Sequence, residues 1–128
     1  MGKELMEAEK RILIVDDEET LTFSLYQAFI KCPDNIEVVT AASGEEAAEK
    51  IEQTKFDLVL TDIRMPGMDG LELLMKIKAE NPEIEVIVMT AFGSLEKKEE
   101  SIQKGADYYI EKGTDLRDIR KAVMEFLY

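Results

Sequence analysis

Acidic side chains directly follow or end two apolar segments of this sequence. Asp16 and Asp17 come after the apolar run ILIV, and Asp62 ends the run FDLVLTD. Carboxylates that lie close together repel one another unless a cation or a proton lies among them. All-oxygen ligation favours Mg²⁺ or Mn²⁺, and a carboxylate beside such a metal can attack phosphorus as a nucleophile. These residues therefore indicate metal-assisted phosphoryl transfer, provided that the fold brings them together.

Two further polar side chains end later apolar segments. Thr90 ends IEVIVMT, and Lys112 ends DYYIEK. An ammonium group can hold the charge that builds on transferring phosphoryl oxygens, and a hydroxyl can donate a hydrogen bond to one of them. The alternatives are that Thr90 is only a β-branched strand residue and that Lys112 is only a solvated surface lysine. The position of both residues at strand ends favours the functional interpretation.

Short apolar segments alternate with amphipathic ones along the chain. Continuous runs of Val, Ile and Leu are typical of strands buried on both faces, and apolar residues at helical spacing predict helices between them. The alternation predicts right-handed βαβ units and a parallel sheet covered by helices on both faces. Ligands bind outside the carboxyl ends of such strands, so the polar residues above should meet at one edge. The predicted strands are 11–15, 36–41, 56–62, 84–90 and 107–112, and the predicted helices are 20–32, 43–53, 70–81, 94–105 and 115–127.

Two of the predicted helices carry signals of their own. Ser43, with Glu46 three residues later, is the pattern of a capping box at a helix N-terminus. The helix over 94–105 has a thin apolar face formed essentially by Leu95 and Ile102. A helix with little apolar surface to bury has low local stability, which suits an element that changes conformation.

Composition and charge limit the class of protein. The 128 residues fit one globular domain, predicted over 11–128 after a polar tail at 1–10. A net charge of −12 argues against direct binding to nucleic acid or to an anionic membrane surface. There is no histidine, which excludes histidine-based catalysis, and no apolar segment of membrane-spanning length. Cys32 is the only cysteine, expected to be buried or half-buried at a helix end, so a reduced, cytoplasmic location is expected.

Four segments together resemble a known family. They are Asp16-Asp17 after ILIV, then LTDIRMPGMDG, VMTAFGS and GADYYIEK, in this order along the chain. Over roughly residues 11 to 127 the sequence resembles the receiver domain of two-component response regulators. The resemblance implies an α/β fold of the flavodoxin-like, doubly wound type, with a five-stranded parallel sheet in the order 2-1-3-4-5 and five helices.

The resemblance also implies roles for the acidic residues. Asp62 matches the phosphoacceptor of the family. Asp17 matches the direct ligand of Mg²⁺ (or Mn²⁺), Asp16 matches a ligand that acts largely through water, and the backbone carbonyl of Arg64 matches the third protein ligand. The MPGMDG loop that follows is expected to serve as a turn, with no catalytic role.

The second half of the chain contains three further matches to functional residues of the family. Thr90 and Tyr109 correspond to the switch pair, and Lys112 corresponds to the lysine that contacts the phosphoryl group. Packing against a helix is a rival role for Tyr109. The family usually has a proline after this lysine, whereas Gly113 follows here, so the sequence leaves open the isomer of the Lys112–Gly113 bond.

The function expected from the resemblance is signalling by phosphorylation. A phosphohistidine on a sensor histidine kinase or a histidine phosphotransfer protein would supply the phosphoryl group to Asp62. The surface around helix 94–105, the fifth strand and the last helix would then change its partners. The chain is not expected to be an enzyme beyond its own phosphorylation and dephosphorylation, and it is either a stand-alone relay protein or part of a longer regulator.

Two other functions compete with this one. A Mg²⁺-dependent phosphatase commonly has a second acid two residues after the nucleophile, and Arg64 occupies that position. A receiver-like module that works by surface contacts without phosphorylation is the second alternative. The acidic residues and the lysine count against it.

Overall fold

A computed structural model describes residues 10–31, 35–91 and 94–128 of the chain. The predictions for most of the N-terminal tail and for Cys32 lie outside these ranges. The described strands are β1 (Lys10–Val15), β2 (Ile36–Ala41), β3 (Leu58–Asp62), β4 (Glu85–Thr90) and β5 (Tyr108–Glu111). The described helices are α1 (Glu19–Ile30), α2 (Gly44–Gln53), α3 (Gly70–Glu80), α4 (Leu95–Gln103) and α5 (Leu116–Leu127).

The five strands form one parallel sheet in the order β2-β1-β3-β4-β5. This confirms the predicted flavodoxin-like α/β fold and its strand order. The register pairs Val15 with Thr61 and Asp62 with Met89, so the carboxyl ends of the three central strands lie side by side. Residues that follow these strands therefore meet at one edge of the sheet.

Two apolar layers form the core, one on each face of the sheet. Alternate residues of a strand point to opposite faces, so Leu13 and Val59 belong to one layer, and Ile14 and Leu60 to the other. Helices α2 and α3 cover the first layer, and α1 and α5 cover the second. The central strands carry continuous apolar runs because both of their faces are covered.

The predicted capping box of α2 is half confirmed. The Ser43 hydroxyl accepts a hydrogen bond from the Glu46 amide at 3.0 Å. The Glu46 carboxylate accepts from the Ala42 amide at 2.9 Å, one residue before the amide that a reciprocal box would use. A reciprocal box occurs instead at α3, where Asp69 and Glu72 each accept from the other's amide.

The thin apolar face predicted for α4 does not lie against the core. Leu95 and Ile102 are exposed by 63% and 47%, and the residue that α4 buries completely is Ser101. The Ser101 hydroxyl donates to the Lys98 carbonyl at 2.8 Å, so its burial leaves no polar group unpaired. Because Ser101 is small and its hydroxyl is paired within the helix, α4 can pack this side chain against the rest of the domain. The two larger apolar side chains face solvent.

None of the helices described is both long enough and apolar enough to cross a lipid bilayer.

Candidate functional site

Three carboxylates meet at the carboxyl edge of the sheet. Asp16 follows β1 and Asp62 ends β3, and they are exposed by only 1% and 4%, whereas Asp17 is exposed to solvent. One oxygen atom from each of the three lies within 4.8 Å of the others. The structure thus brings together the acidic residues that the sequence singled out.

Backbone contacts hold the two buried carboxylates in place. The Asp16 amide donates to the Ala41 carbonyl at 3.1 Å, and Asp16 Oδ1 accepts from the Glu18 amide at 2.8 Å. The Ile63 amide donates to the Met89 carbonyl at 3.2 Å, and the nearby amides of Ile63 and Arg64 act to lower the pKa of the Asp62 carboxyl. Gly70 allows α3 to begin against this segment, because a Cβ atom at this position would lie 2.0 Å from the Asp62 carbonyl oxygen. Its amide donates to the Ile63 carbonyl at 2.7 Å.

Lys112 joins three carboxylates. Its Nζ atom lies 2.7 Å from Glu18 Oε1, 2.9 Å from Asp62 Oδ2 and 3.3 Å from Asp16 Oδ2. Its own amide donates to the Thr90 carbonyl at 2.7 Å, which fixes the backbone directly after β5. Lys112 thus lies beside the acidic residues that the sequence singled out, and its contact with a phosphoryl group stays a prediction.

Gly113, which replaces the family's usual proline, takes a left-handed conformation. Its φ angle is +96°, a value that glycine adopts without steric cost. The peptide bonds of the described residues, including Lys112–Gly113, are trans. In this chain, Lys112 is therefore followed by a trans peptide bond and a glycine with positive φ.

The donor set fits a hard divalent cation. Asp16 Oδ2 is buried and makes no hydrogen bond, since the 3.3 Å approach of Lys112 is an ion pair without hydrogen-bond geometry. Buried polar atoms in native proteins almost always form hydrogen bonds, so a buried carboxylate oxygen that forms none marks a place for a cation. Three carboxylates with only oxygen donors suit Mg²⁺ or Mn²⁺ better than Zn²⁺.

Burial dominates the electrostatics of the acidic pair. It raises the pKa of Asp62 above its usual range, although the hydrogen bond from Lys112 opposes the shift. It also raises the pKa of Asp16, and the neighbouring charge of Asp62 adds to that increase. Burial alone would lower the pKa of Lys112, but the hydrogen bonds to Glu18 and Asp62 outweigh it and raise that pKa.

These pKa shifts predict how charge affects stability without metal. A raised pKa means that the folded protein favours protonated Asp62, so ionisation costs stability as the pH rises from the ordinary pKa of 3.8 through the raised value. In EDTA at neutral pH we therefore expect Asp62→Asn to have a higher melting temperature than the native chain. The difference should shrink towards about pH 4, where both chains are neutral at this position.

Thermal denaturation followed by circular dichroism across this pH range tests the expectation. Asp118→Asn is the matched control, because Asp118 is an exposed carboxylate of α5. Equal melting temperatures for the native chain and Asp62→Asn throughout the range would contradict the expectation.

The predicted switch residues lie on neighbouring strands, and the register places Tyr109 opposite Val88, two residues before Thr90. Thr90 is buried and its hydroxyl donates to the Ala91 carbonyl at 3.2 Å. Tyr109 is half-buried and packs on the layer of the core that α2 and α3 cover, with Lys98 Nζ 4.6 Å from its ring centre. Tyr108 points to the other face and stacks on Phe126 at 5.3 Å. The packing role of Tyr109 is thus confirmed, and its role in switching stays a prediction.

An open pocket of about 600 Å³ lies over the acidic residues. Sequence reasoning missed Glu18, Ser94 and Lys97 among its lining residues. Glu18 stands in the run DDEE directly after the predicted acidic pair, which is the one signal that could have pointed to it. The pocket is lined by Asp17, Glu18, Asp62, Ile63, Arg64, Thr90, Ala91, Ser94, Lys97 and Lys112.

The fold and this pocket define an α/β protein with an acidic, lysine-containing site at the carboxyl edge of a 2-1-3-4-5 sheet. Residues 12–124 match the family model described as "Response regulator receiver domain". The chain therefore belongs to the response regulator receiver domain family, and it is a receiver domain of two-component signal transduction. As a class, receiver domains are signalling modules that interact with histidine kinases and bind Mg²⁺ at an acidic pocket.

Relatives and solved structures agree with this assignment. The chain is 38% identical to Sporulation initiation phosphotransferase F of Bacillus subtilis over 118 residues, which are 92% of this chain and 94% of that protein. Several other curated relatives are longer, and the chain spans between 26% and 54% of their length.

Two crystal structures are similar over most of their length. A response regulator receiver domain protein (CheY-like) from Methanospirillum hungatei is 40% identical, with a TM-score of 0.83 over 92% of this chain and 93% of that one. Response regulator protein TrrA from Thermotoga maritima, in complex with Mg²⁺-BeF, is 32% identical, with a TM-score of 0.81 over 91% of this chain and 98% of that one.

Proposed function

We propose that Asp62 accepts a phosphoryl group from a phosphohistidine on a sensor histidine kinase or a histidine phosphotransfer protein. The observation that carries this proposal is the buried Asp62 carboxylate at the end of β3, 2.9 Å from Lys112 and open to a pocket. An Asp62 carboxylate oxygen forms a bond to phosphorus while the bond from phosphorus to the donor's imidazole nitrogen breaks. The electron pair of that bond returns to the imidazole.

Protein groups around Asp62 prepare this transfer. The ammonium group of Lys112 offsets the negative charge of the acidic pair and is placed to contact a phosphoryl oxygen. Asp16, Asp17, Asp62 and the backbone carbonyl of Arg64 would hold Mg²⁺ or Mn²⁺. The metal, when bound, supplies positive charge that neutralises phosphoryl oxygens in the transition state.

Phosphorylation would then be read at the surface formed by α4, β5 and α5. In the proposed switch, the Thr90 hydroxyl turns from the Ala91 carbonyl towards the phosphoryl group, and Tyr109 moves into the space that it leaves. Leu95, Ile102 and Tyr108 are already exposed on this surface, so a small rearrangement changes an apolar patch. The few apolar contacts of α4 suit an element that shifts.

The expected setting is a cytoplasmic phosphorelay. The similarity to Sporulation initiation phosphotransferase F over nearly the whole of both chains supports a role in passing the phosphoryl group onward. The net charge of −12 supports protein partners over direct contact with nucleic acid.

Intact-mass measurement with and without metal tests the proposal. Acetyl phosphate with Mg²⁺ should add one phosphoryl group to the native chain, and EDTA should abolish the addition because the acidic cluster then lacks its cation. Mn²⁺ should restore it, whereas Ca²⁺ should do so poorly because Ca²⁺ prefers more ligands at longer distances. A chain that gains no mass and binds no beryllofluoride in the presence of Mg²⁺ would overturn the proposal and indicate a contact module. Multiple turnover of small phosphate esters would instead indicate a phosphatase.

A further inference from the structure

Glu18 uses its side chain for an unusual contact. It is the N-cap residue of α1, a position that favours Ser, Thr, Asp or Asn because a short side chain can accept from the helix amides. The Glu18 side chain makes no such hydrogen bond. Its carboxylate instead contacts Lys112 at 2.7 Å, across 94 residues of sequence.

This contact competes with the phosphoacceptor for the same cation. Glu18 lies closer to Lys112 Nζ than Asp62 does, at 2.7 Å against 2.9 Å. The Glu18 side chain is 62% exposed and the Lys112 side chain 23%, so the contact lies on the solvent side of the acidic pair. Both residues line the pocket through which a phosphodonor reaches Asp62. A donor that enters this pocket therefore approaches the negative charge of Glu18, and it finds Lys112 already paired with carboxylates.

We propose that Glu18 is a positioning residue that restrains Lys112 and disfavours strongly anionic small-molecule phosphodonors. The inference rests on the proposed function, since it concerns the approach of the donor to Asp62. The like charge of Glu18 raises the energy of an anionic donor in the pocket, and its hold on Lys112 delays the pairing of that lysine with phosphoryl oxygens. A protein donor makes further contacts with the domain surface, and the binding energy of those contacts offsets the repulsion by Glu18. A small donor makes no such contacts, so the repulsion slows its reaction.

Donor kinetics of two isosteric variants test this inference. Glu18→Gln removes the charge and keeps the shape of the side chain. Glu19→Gln is the matched control, because Glu19 is the next residue, is exposed and carries the same charge, and no described lysine forms an ion pair with it. Phosphorylation is followed by intact mass with Mg²⁺ in excess, using acetyl phosphate and the less negatively charged phosphoramidate at increasing concentrations.

We expect Glu18→Gln to raise the rate constant at low acetyl phosphate concentration by about three- to tenfold, from like charges a few ångströms apart in partly screened surroundings. The gain should appear as a lower half-saturating concentration, with a maximal rate within about twofold of native. It should be smaller with phosphoramidate and should diminish at about 1 M salt. Glu19→Gln should stay within about twofold of native with both donors.

A readout without turnover accompanies the kinetics. Calorimetric titration of the Mg²⁺-loaded chain with beryllofluoride, an anion that mimics the phosphoryl group, should give tighter binding for Glu18→Gln than for Glu19→Gln. Equal effects of the two variants, equal gains with both donors or slower phosphorylation of Glu18→Gln would overturn the inference and leave the proposed function standing. A native chain that is not phosphorylated at all and binds no beryllofluoride would overturn both.

Discussion

Asp62→Asn is expected to abolish stable phosphorylation of the chain. Asparagine keeps the size and shape of the side chain but is a poor nucleophile, so no acyl phosphate bond forms at this position. After incubation with acetyl phosphate and Mg²⁺, the intact mass of the variant should be that of the unmodified protein. The native chain under the same conditions should carry one phosphoryl group.

Position and chemistry can be tested in the same experiment. Reduction of the phosphorylated native chain with borohydride converts an aspartyl phosphate into homoserine, and peptide mapping should place that homoserine at residue 62. Asp118→Asn should be phosphorylated like the native chain, because Asp118 is exposed on α5 and is not among the residues that line the pocket. A phosphoryl group on Asp62→Asn, or homoserine at another aspartate of the native chain, would disprove the assignment.

Gly70→Ala is expected to produce the largest loss of stability, about 3 kcal/mol in the free energy of unfolding. A Cβ atom at this position would lie 2.0 Å from the Asp62 carbonyl oxygen and 2.8 Å from the Ile63 Cα atom. Both are backbone atoms of the segment that contains Asp62, so relief of the clash requires α3 to move away from β3. The ordinary preference of helices for alanine over glycine, about 1 kcal/mol, is too small to offset the clash.

Urea denaturation followed by circular dichroism measures this loss. Gly113→Ala is the matched control, because an added Cβ there meets no atom within 4 Å and only the φ angle of +96° opposes it. Its cost should be about 1–2 kcal/mol, the usual cost of a left-handed conformation for a residue with a side chain. If Gly70→Ala were as stable as Gly113→Ala or more so, the close approach of α3 to β3 would be disproved.

Local patterns predicted the fold closely, and their errors have local causes. The strands of the central sheet are continuous apolar runs, so their number and type follow from hydrophobic periodicity. Strand starts were placed too early at three positions; Phe56, for example, is buried although it precedes β3. Burial and strand pairing are different properties, and an apolar residue shows only the first.

It was harder to predict which side of a helix is buried than to predict the helix itself. Leu95 and Ile102 share one side of α4, as their spacing indicates, but that side faces solvent, and Ser101 lies against the sheet. A prediction based on hydrophobicity alone places every apolar side chain in the interior. A thin amphipathic pattern cannot decide between the interior and an exposed functional surface, because the choice depends on what packs against the helix.

Local patterns along the chain are enough to predict the parallel α/β sheet. They also single out the residues that end or follow its strands, which are Asp16, Asp62, Thr90 and Lys112. These follow from local pattern and from the rule that the carboxyl ends of parallel strands share one edge. The pairing of charges across that edge, in contrast, depends on the three-dimensional arrangement of the chain. Lys112 and Glu18 lie 94 residues apart, and their contact depends on the register of four strands and the start of α1. An ion pair between residues that are distant in sequence leaves no periodic pattern along the chain. It can therefore be identified only from the folded structure.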